Sequence, residues 1–225
     1  MGMRYSNFAS AYGRRWLWRQ LLAVAVVAAL GAAPARATEI RLMILGDSIT
    51  AAYGLARGEG LPARLEAALR AKGRAVRVID AGVSGDTTAG GRARLDWALA
   101  DNPHAVIVAL GGNDGLRAIE PRASRANLAA ILDALAAKRL PTMLAGMLAP
   151  PNLGADYGRE FAANFTDLAS ERPGVVFYPF LLEGVAGDLS LNQPDGIHPN
   201  VAGVEELVRR MLPTVESLLG KLAAP

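Results

Sequence analysis

Short apolar runs alternate with longer amphipathic stretches along most of the chain. The apolar runs have the length of buried strands and lie at 40–45, 75–79, 105–110, 141–148 and 175–178. In the stretches that follow them, apolar residues recur every three or four positions, which predicts helices at 61–72, 88–99, 124–138, 156–170 and 199–219. The run 105–110 (AVIVAL) is apolar throughout, so we expect it at the centre of a sheet.

This alternation predicts an α/β fold in which a five-stranded parallel sheet is covered by helices on both faces. Connections between parallel strands are right-handed, which distributes the helices over the two faces. Open sheets of this kind bind their ligands beyond the carboxyl ends of the strands. Residues that carry chemistry are therefore expected in the loops directly after the strands.

The first 37 residues differ from the rest of the chain. They contain five arginines and neither Asp nor Glu, and the basic stretch is followed by an apolar run at 21–33 and by Ala35-Arg36-Ala37. These features are typical of a secretory signal peptide, which predicts cleavage after Ala37 and a periplasmic or secreted protein. An uncleaved membrane anchor is the alternative, but a transmembrane helix needs roughly 20 apolar residues and this run is shorter.

Removal of this leader changes the charge balance. The whole chain has 24 basic and 21 acidic residues, but without the five leader arginines 19 basic residues face 21 acidic ones, a net charge of −2. The basic character of the full chain therefore gives no support for binding to nucleic acid. Residues 38–225 have the length of one domain, and nothing in them requires a dimer, so we expect a monomer. The chain has no cysteine, which excludes disulfides and thiol nucleophiles.

The first candidate for chemistry is Ser48, in the sequence Gly46-Asp47-Ser48 directly after the first predicted strand. A serine at a strand-to-helix turn lies near a helix N-terminus, whose partial positive charge favours a developing anion. A serine hydroxyl is a weak nucleophile without a base, and the chain has only two histidines. His104 precedes the third strand, away from the predicted site, and is interpreted as a surface or strand-start histidine.

The other histidine, His198, follows the last predicted strand in the sequence DGIHP, which begins with Asp195. Pro199 suits the first position of a helix, and Gly196 lets the chain turn tightly before His198. The Asp195 carboxylate can then accept the Nδ1 proton of His198 and leave Nε2 facing Ser48. An Asp-Gly turn beside a capping histidine is the alternative interpretation of this segment.

Two glycine-rich loops after other strands supply hydrogen-bond donors. The third strand ends in Gly111-Gly112-Asn113, and the second leads into a loop that contains Gly85. The N–H groups of Ser48 and Gly85 and the side-chain amide of Asn113 form a candidate oxyanion hole, because preorganised donors stabilise a tetrahedral intermediate. Each loop alone is interpreted as an ordinary turn, but their occurrence after successive strands favours a shared site.

Four short sequences resemble the signature blocks of the GDSL esterases, also called SGNH hydrolases: GDS at 46–48, SGDT at 84–87, GGND at 111–114 and DGIHP at 195–199. They occur in the same order as in that family, and the resemblance covers essentially all of residues 38–225. It is strongest to the bacterial periplasmic group of thioesterases, lysophospholipases and arylesterases.

The resemblance implies a flavodoxin-like three-layer α/β/α sandwich. It implies Ser48 as the nucleophile, His198 as the base, Asp195 as the residue that orients His198, and Gly85 and Asn113 in the oxyanion hole. The function that follows is an exported serine esterase, which hydrolyses small carboxylic esters or acyl thioesters through an acyl-serine intermediate. Neither a metal nor an organic cofactor is needed for this reaction.

Apolar side chains in the loops after the strands are candidates for an acyl groove: Leu116, Ile119, Met147, Leu148, Leu153 and Tyr157. Among them we predict that Leu116, Leu153 and Tyr157 bind the substrate. The alternative is that these side chains belong to the core at the edges of the loops.

Three carboxylates at strand ends, Asp47, Asp86 and Asp114, allow a different function. Together with Asp195 they would hold Mg²⁺ for hydrolysis of a phosphoester. Alternatively, each carboxylate bonds to backbone N–H groups and shapes its loop, as Asp commonly does in turns. A third alternative is a catalytically inactive binding protein on the same fold.

Overall fold

The structure is a computed structural model that describes Met1 and residues 39–222. The predicted signal peptide, apart from Met1, lies outside the described residues. Each strand overlaps one of the predicted apolar runs. The strands are β1 (Ile40–Gly46), β2 (Val76–Gly82), β3 (Ala105–Ala109), β4 (Thr142–Ala145) and β5 (Val176–Tyr178).

The five strands form one parallel sheet in the order β2-β1-β3-β4-β5, which confirms the predicted sheet. All residues of β3 are buried, as the uniformly apolar sequence predicted for a central strand. The strand order reverses between β1 and β3, and open α/β sheets bind ligands at such a switch point. The register pairs Gly46 at the end of β1 with Gly82 and Ala109, so the loops after these strands begin side by side.

Helices cover both faces of the sheet. They are α1 (Leu61–Ala71), α2 (Thr88–Ala93), α3 (Leu95–Ala98), α4 (Gly112–Leu116), α5 (Pro121–Ala137), α6 (Ala155–Glu171) and α7 (Val201–Leu219), with 3₁₀ turns at Leu99–Asp101 and Pro151–Leu153. α1 packs against α7, whereas α5 packs against α2 and α6. The core fills the space between the sheet and these two layers, so the predicted three-layer α/β/α sandwich is confirmed.

Several boundaries differ from the prediction. The strand predicted at 141–148 ends at Ala145, because its partner β5 ends at Tyr178 and Pro179 has no N–H for the ladder. The helix predicted at 88–99 is interrupted at Arg94, whose φ of −103° is not helical. α5 begins at Pro121, since proline fits the first turn of a helix. Within the described residues, no helix is both long and apolar enough to cross a membrane.

Candidate active site

Three residues from opposite ends of the described chain form a continuous hydrogen-bonded series. Ser48 lies in the turn after β1, and its Oγ is 2.9 Å from Nε2 of His198. His198 Nδ1 is in turn 2.7 Å from Oδ2 of Asp195. His198 is held just before α7, whose first turn is capped by a hydrogen bond from the Gly203 N–H to Asn200 Oδ1 at 3.0 Å. The fold therefore brings together the three residues that the sequence analysis selected.

The partners of His198 determine its tautomer. An ionised carboxylate only accepts hydrogen bonds, so Nδ1 carries the proton and donates it to Asp195. Nε2 is then free to accept from the Ser48 hydroxyl. Asp195 Oδ1 also accepts from the N–H groups of Ile197 and His198, both at 3.0 Å. The Ile197 N–H, the His198 side chain and the His198 N–H together lower the pKa of Asp195 to about 2, so Asp195 is ionised at neutral pH.

The predicted oxyanion donors lie in the loops after β1, β2 and β3. Neither the Ser48 N–H nor the Gly85 N–H donates to another atom in the part of the chain that the structure describes. Gly85 has a φ of +84°, a left-handed conformation that glycine adopts without strain. Arg117 Nη2 donates to the Gly85 carbonyl at 2.8 Å and holds this loop in place. Asn113 lies in the first turn of α4 and contributes a side-chain amide.

Asp47 is a buried carboxyl beside these donors, with an exposed fraction of 2%. Its Oδ1 accepts from the Ile49 N–H at 3.1 Å, and its Oδ2 accepts from Asn113 Nδ2 at 3.4 Å. Burial raises the pKa of Asp47 from 3.8 to about 6, although the Ile49 N–H and the charge of His198 act in the opposite direction. Asp47 therefore orients the Asn113 amide, although burial makes ionisation of the Asp47 carboxyl unfavourable.

Asp114 links three elements behind the site. Its carboxylate accepts from the Thr88 N–H at 2.8 Å, from the Thr88 hydroxyl at 2.6 Å and from the Ser124 hydroxyl at 2.8 Å. The residue is almost completely buried, so these bonds satisfy a polar group that has little access to water. Asp114 thereby fixes α4, which carries Asn113, to the first turns of α2 and α5.

Asp86 has a similar role after β2. It forms an ion pair of 2.6 Å with Arg94, and Arg94 Nη2 also donates to the Gly46 carbonyl at 2.9 Å. This arginine therefore connects the Gly85 loop to the end of β1. Within residues 39–222, no three acidic or histidine side chains come close enough together to hold a metal ion. Asp47 and Asp114 accept from backbone N–H groups, as the interpretation of these carboxylates as loop-shaping residues expected, whereas Asp86 pairs with the Arg94 side chain.

An open cavity of about 390 Å³ lies next to Ser48 and His198. Its walls are mainly apolar, and its larger apolar side chains include Leu116, Met147, Leu148, Phe180, Leu182 and Ile197. The polar part of the wall includes Ser48, Asn113 and His198. The cavity thus offers both polar groups and an apolar surface to a bound molecule.

Of the three predicted substrate-binding residues, the structure brings only Leu116 to this cavity. Leu153 and Tyr157 lie outside its lining. The Tyr157 hydroxyl donates to the Ile119 carbonyl at 2.6 Å, and its ring stacks on Phe161 at a centroid distance of 5.9 Å. Tyr157 therefore packs against Phe161 and supports the loop after α4, and it does not contact the cavity.

Two cavity residues on the long loop after β5 were not predicted from the sequence. Phe180 and Leu182 follow a strand as closely as the other site residues do, and that position was the available signal. Tyr53 was also missed, although its ring packs on His198 at a centroid distance of 4.6 Å. His104 was interpreted correctly as a strand-start residue, since its Nδ1 accepts from the Arg41 N–H at 3.0 Å at the other end of β1.

This fold and this site are those of a serine ester hydrolase, and the comparisons with known proteins identify the family. Residues 44–205 match the GDSL-like lipase/acylhydrolase family, which is most of the chain. The chain belongs to that family, as the sequence analysis predicted.

Characterised relatives are similar over most of their length. The chain is 40% identical to the esterase TesA of Pseudomonas aeruginosa over 179 residues, 79% of this chain and 89% of TesA. It is 38% identical to thioesterase 1/protease 1/lysophospholipase L1 of Escherichia coli over 160 residues, 71% of this chain and 75% of that protein. The crystal structure of AlinE4, an esterase of the SGNH-hydrolase family, superposes with a TM-score of 0.68 at 46% identity and covers 80% of this chain and 97% of AlinE4.

Proposed function

We propose that the protein is an exported esterase that uses Ser48, His198 and Asp195 as a catalytic triad. The observation that carries the proposal is the series of hydrogen bonds of 2.9 Å and 2.7 Å that ends at a serine on the wall of an apolar cavity. In this arrangement a serine hydroxyl has a base, and the base has a carboxylate that fixes its tautomer.

The reaction begins when Ser48 Oγ attacks the carbonyl carbon of the ester and passes its proton to His198 Nε2. The negatively charged oxygen of the tetrahedral intermediate accepts hydrogen bonds from the Ser48 N–H, the Gly85 N–H and Asn113 Nδ2. The two backbone donors make no other hydrogen bond within the described residues, which supports their assignment to this role.

The intermediate then collapses, and the bond between the carbonyl carbon and the leaving alcohol or thiol breaks. His198 gives its proton to that leaving group, and Ser48 is left acylated. A water molecule attacks the acyl-serine in the same way, with His198 again taking and returning a proton. The carboxylic acid leaves, and Ser48 recovers its hydroxyl proton.

The acyl part of the substrate occupies the apolar cavity, and the leaving group extends to solvent. Apolar walls from Met147, Leu148 and Phe180 favour hydrocarbon chains over polar acyl groups. The names of the relatives support both oxygen esters and thioesters, since one is an esterase and another is a thioesterase and lysophospholipase. We propose carboxylic esters and acyl thioesters of apolar acids as the substrate class.

Activity measurements on triad variants test this proposal. p-Nitrophenyl butyrate, palmitoyl-CoA and lysophosphatidylcholine are compared as substrates, with and without EDTA. Ser48→Ala and Asp195→Asn are expected to lower kcat by roughly 10⁴-fold, because the first removes the nucleophile and the second no longer fixes the Nδ1 tautomer.

Asp188→Asn is the matched control. Asp188 also accepts hydrogen bonds in a turn of the same loop, from the N–H and hydroxyl of Ser190, but it does not contact His198. This variant is expected to keep the activity of the parent protein. Full activity in Ser48→Ala, or loss of activity in EDTA, would contradict the proposal.

Export rests on the sequence of residues 1–37. We infer cleavage after Ala37 and delivery of residues 38–225 to the periplasm or the medium. The intact mass of the protein recovered from each cell fraction tests this inference. A mature protein that begins at Thr38 supports it, and a full-length chain that stays in the cytoplasmic fraction contradicts it.

A further inference from the structure

We propose that Gln193 is a positioning residue that sets the separation of Ser48 and His198. The inference rests on the proposed function, since it assumes that these two residues react together. Ser48 and His198 lie on separate segments, the turn at 48–54 after β1 and the loop at 193–199 before α7. Gln193 is hydrogen-bonded to both segments, and its bond to Tyr53 joins residues that are 140 positions apart in the sequence.

The side-chain amide of Gln193 uses both of its N–H groups. Nε2 donates to the Tyr53 carbonyl at 2.7 Å and to the Pro199 carbonyl at 3.0 Å. Both partners are carbonyl oxygens that only accept, so the NH₂ group and not Oε1 must face them. One amide group therefore joins the turn that carries Ser48 to the residue directly after His198.

Backbone hydrogen bonds extend this link to the reacting residues themselves. The Tyr53 N–H donates to the Ser48 carbonyl at 3.0 Å, which closes the turn that presents the serine. The Gln193 N–H donates to the His198 carbonyl at 2.7 Å, which closes the loop that presents the imidazole. Tyr53 also packs its ring on His198. Gln193 thus lies at the point where these two closed segments are joined.

Gly54 provides the space for this amide. A Cβ at Gly54 would overlap Gln193 Oε1, and the φ of +72° is one that residues other than glycine rarely adopt. The substitution Gly54→Ala therefore displaces the Gln193 amide without changing Gln193. Because the substitution also strains the turn that carries Ser48, it is measured beside the Gln193 variants and does not replace them.

Gln193 does not line the cavity next to Ser48. A loss of the contact should for this reason lower kcat and leave KM nearly unchanged. Gln193→Glu has the same shape but directs carboxylate oxygens at two carbonyl oxygens, and Gln193→Met removes the donors without adding charge. A displacement of about 1 Å between reacting groups costs up to about 100-fold in rate, so we expect kcat to fall by roughly 10- to 100-fold in both variants.

The experiment measures kcat, KM and the melting temperature of Gln193→Glu, Gln193→Met and Gly54→Ala with p-nitrophenyl butyrate, at temperatures well below each transition. The rate at which a fluorophosphonate labels Ser48 is measured in parallel, because labelling depends on the alignment of Ser48 and His198. Should Gln193→Glu fail to fold, Gln193→Met gives the same test.

Asn164→Asp is the matched control. Asn164 Nδ2 donates to the Pro121 carbonyl at 2.7 Å, so this buried amide also joins two segments, α6 and the start of α5, but neither of them carries Ser48 or His198. The variant is expected to lose stability but to keep kcat.

A fall in kcat and in labelling rate in the Gln193 variants and in Gly54→Ala, with KM within about twofold and with Asn164→Asp active, supports the inference. A kcat within twofold of the parent protein in both Gln193 variants, or an equal fall in Asn164→Asp, would overturn it. Ser48→Ala is assayed alongside. If Ser48→Ala is inactive while the Gln193 variants are fully active, only the role of Gln193 fails; if Ser48→Ala is active, the proposed function fails.

Discussion

Asp47 is expected to affect both the stability and the activity of the protein, and Asp47→Asn tests each effect in its own measurement. Folding raises the pKa of this carboxyl from 3.8 to about 6, mainly through burial. The folded protein therefore binds the proton more tightly than the unfolded chain, and stability falls as the pH rises through this interval. A difference of about two pKa units corresponds to about 3 kcal/mol, of which roughly 2 kcal/mol is lost between pH 4.5 and 7.5.

Asp47→Asn removes this titration, because an amide has no proton to lose in this range. The free energy of unfolding is measured with urea at pH 4.5 and pH 7.5 for the parent protein and the variant. Groups that do not interact with Asp47 titrate equally in both proteins, so the difference between them reports Asp47 together with its interaction with the His198 charge. We expect the variant to gain about 2 kcal/mol relative to the parent protein between the two pH values. A difference that is constant with pH, or one that grows in favour of the parent protein, would refute the reasoning.

The same substitution should lower the activity. The two carboxylate oxygens of Asp47 accept from Ile49 and Asn113 separately, whereas an asparagine offers a single acceptor oxygen. One of these bonds is therefore lost: loss of the Asn113 bond frees a proposed oxyanion donor, and loss of the Ile49 bond loosens the turn that carries the Ser48 N–H. We expect ester hydrolysis by Asp47→Asn to be at least about tenfold slower at pH 7.5, since a single oxyanion donor is worth a factor of about 10²–10³.

Three further substitutions test the rest of the account. Asn113→Ala should lower kcat by about 10²–10³-fold and leave KM nearly unchanged in steady-state assays, and an unchanged kcat would remove Asn113 from the oxyanion hole. Phe180→Ala should reduce kcat/KM for p-nitrophenyl octanoate by about fivefold or more, because each buried methylene is worth about 0.8 kcal/mol. The kcat/KM for p-nitrophenyl acetate should stay within about twofold of the parent protein. Equal losses for both esters would show that Phe180 does not contact the acyl chain. Asp114→Ala should lower the free energy of unfolding in urea by at least about 3 kcal/mol, because the N–H and hydroxyl of Thr88 and the hydroxyl of Ser124 lose their acceptor. A decrease of less than about 1 kcal/mol would contradict the structural role of Asp114.

The sheet could be predicted from the sequence because most of its strands are short apolar runs, as expected for strands that helices cover on both faces. β3 is the clearest example, since all of its residues are buried and all are apolar. The candidate site was predictable for a related reason. In a parallel sheet the loops after neighbouring strands meet at one edge, so Ser48, Gly85 and Asn113 could be assigned to one place from their positions after strands.

Other features depend on tertiary contacts that leave no local pattern. α4 has five residues, which is too short for a helical period to be visible in the sequence. Tyr157 resembled a groove residue, but its ring packs on Phe161 and its hydroxyl bonds to the chain after α4. Gln193 has no recognisable pattern around it in the sequence, because its partner Tyr53 lies 140 residues away along the chain.

The most direct test of the account is the covalent labelling of Ser48. The protein is incubated with a fluorophosphonate, and its intact mass and peptides are analysed by mass spectrometry. We predict a single phosphonyl adduct on the peptide that contains Ser48, formed in parallel with the loss of esterase activity and absent from Ser48→Ala. An adduct on a different residue, or an unlabelled protein that still hydrolyses esters after the incubation, would contradict the assignment of Ser48 as the nucleophile.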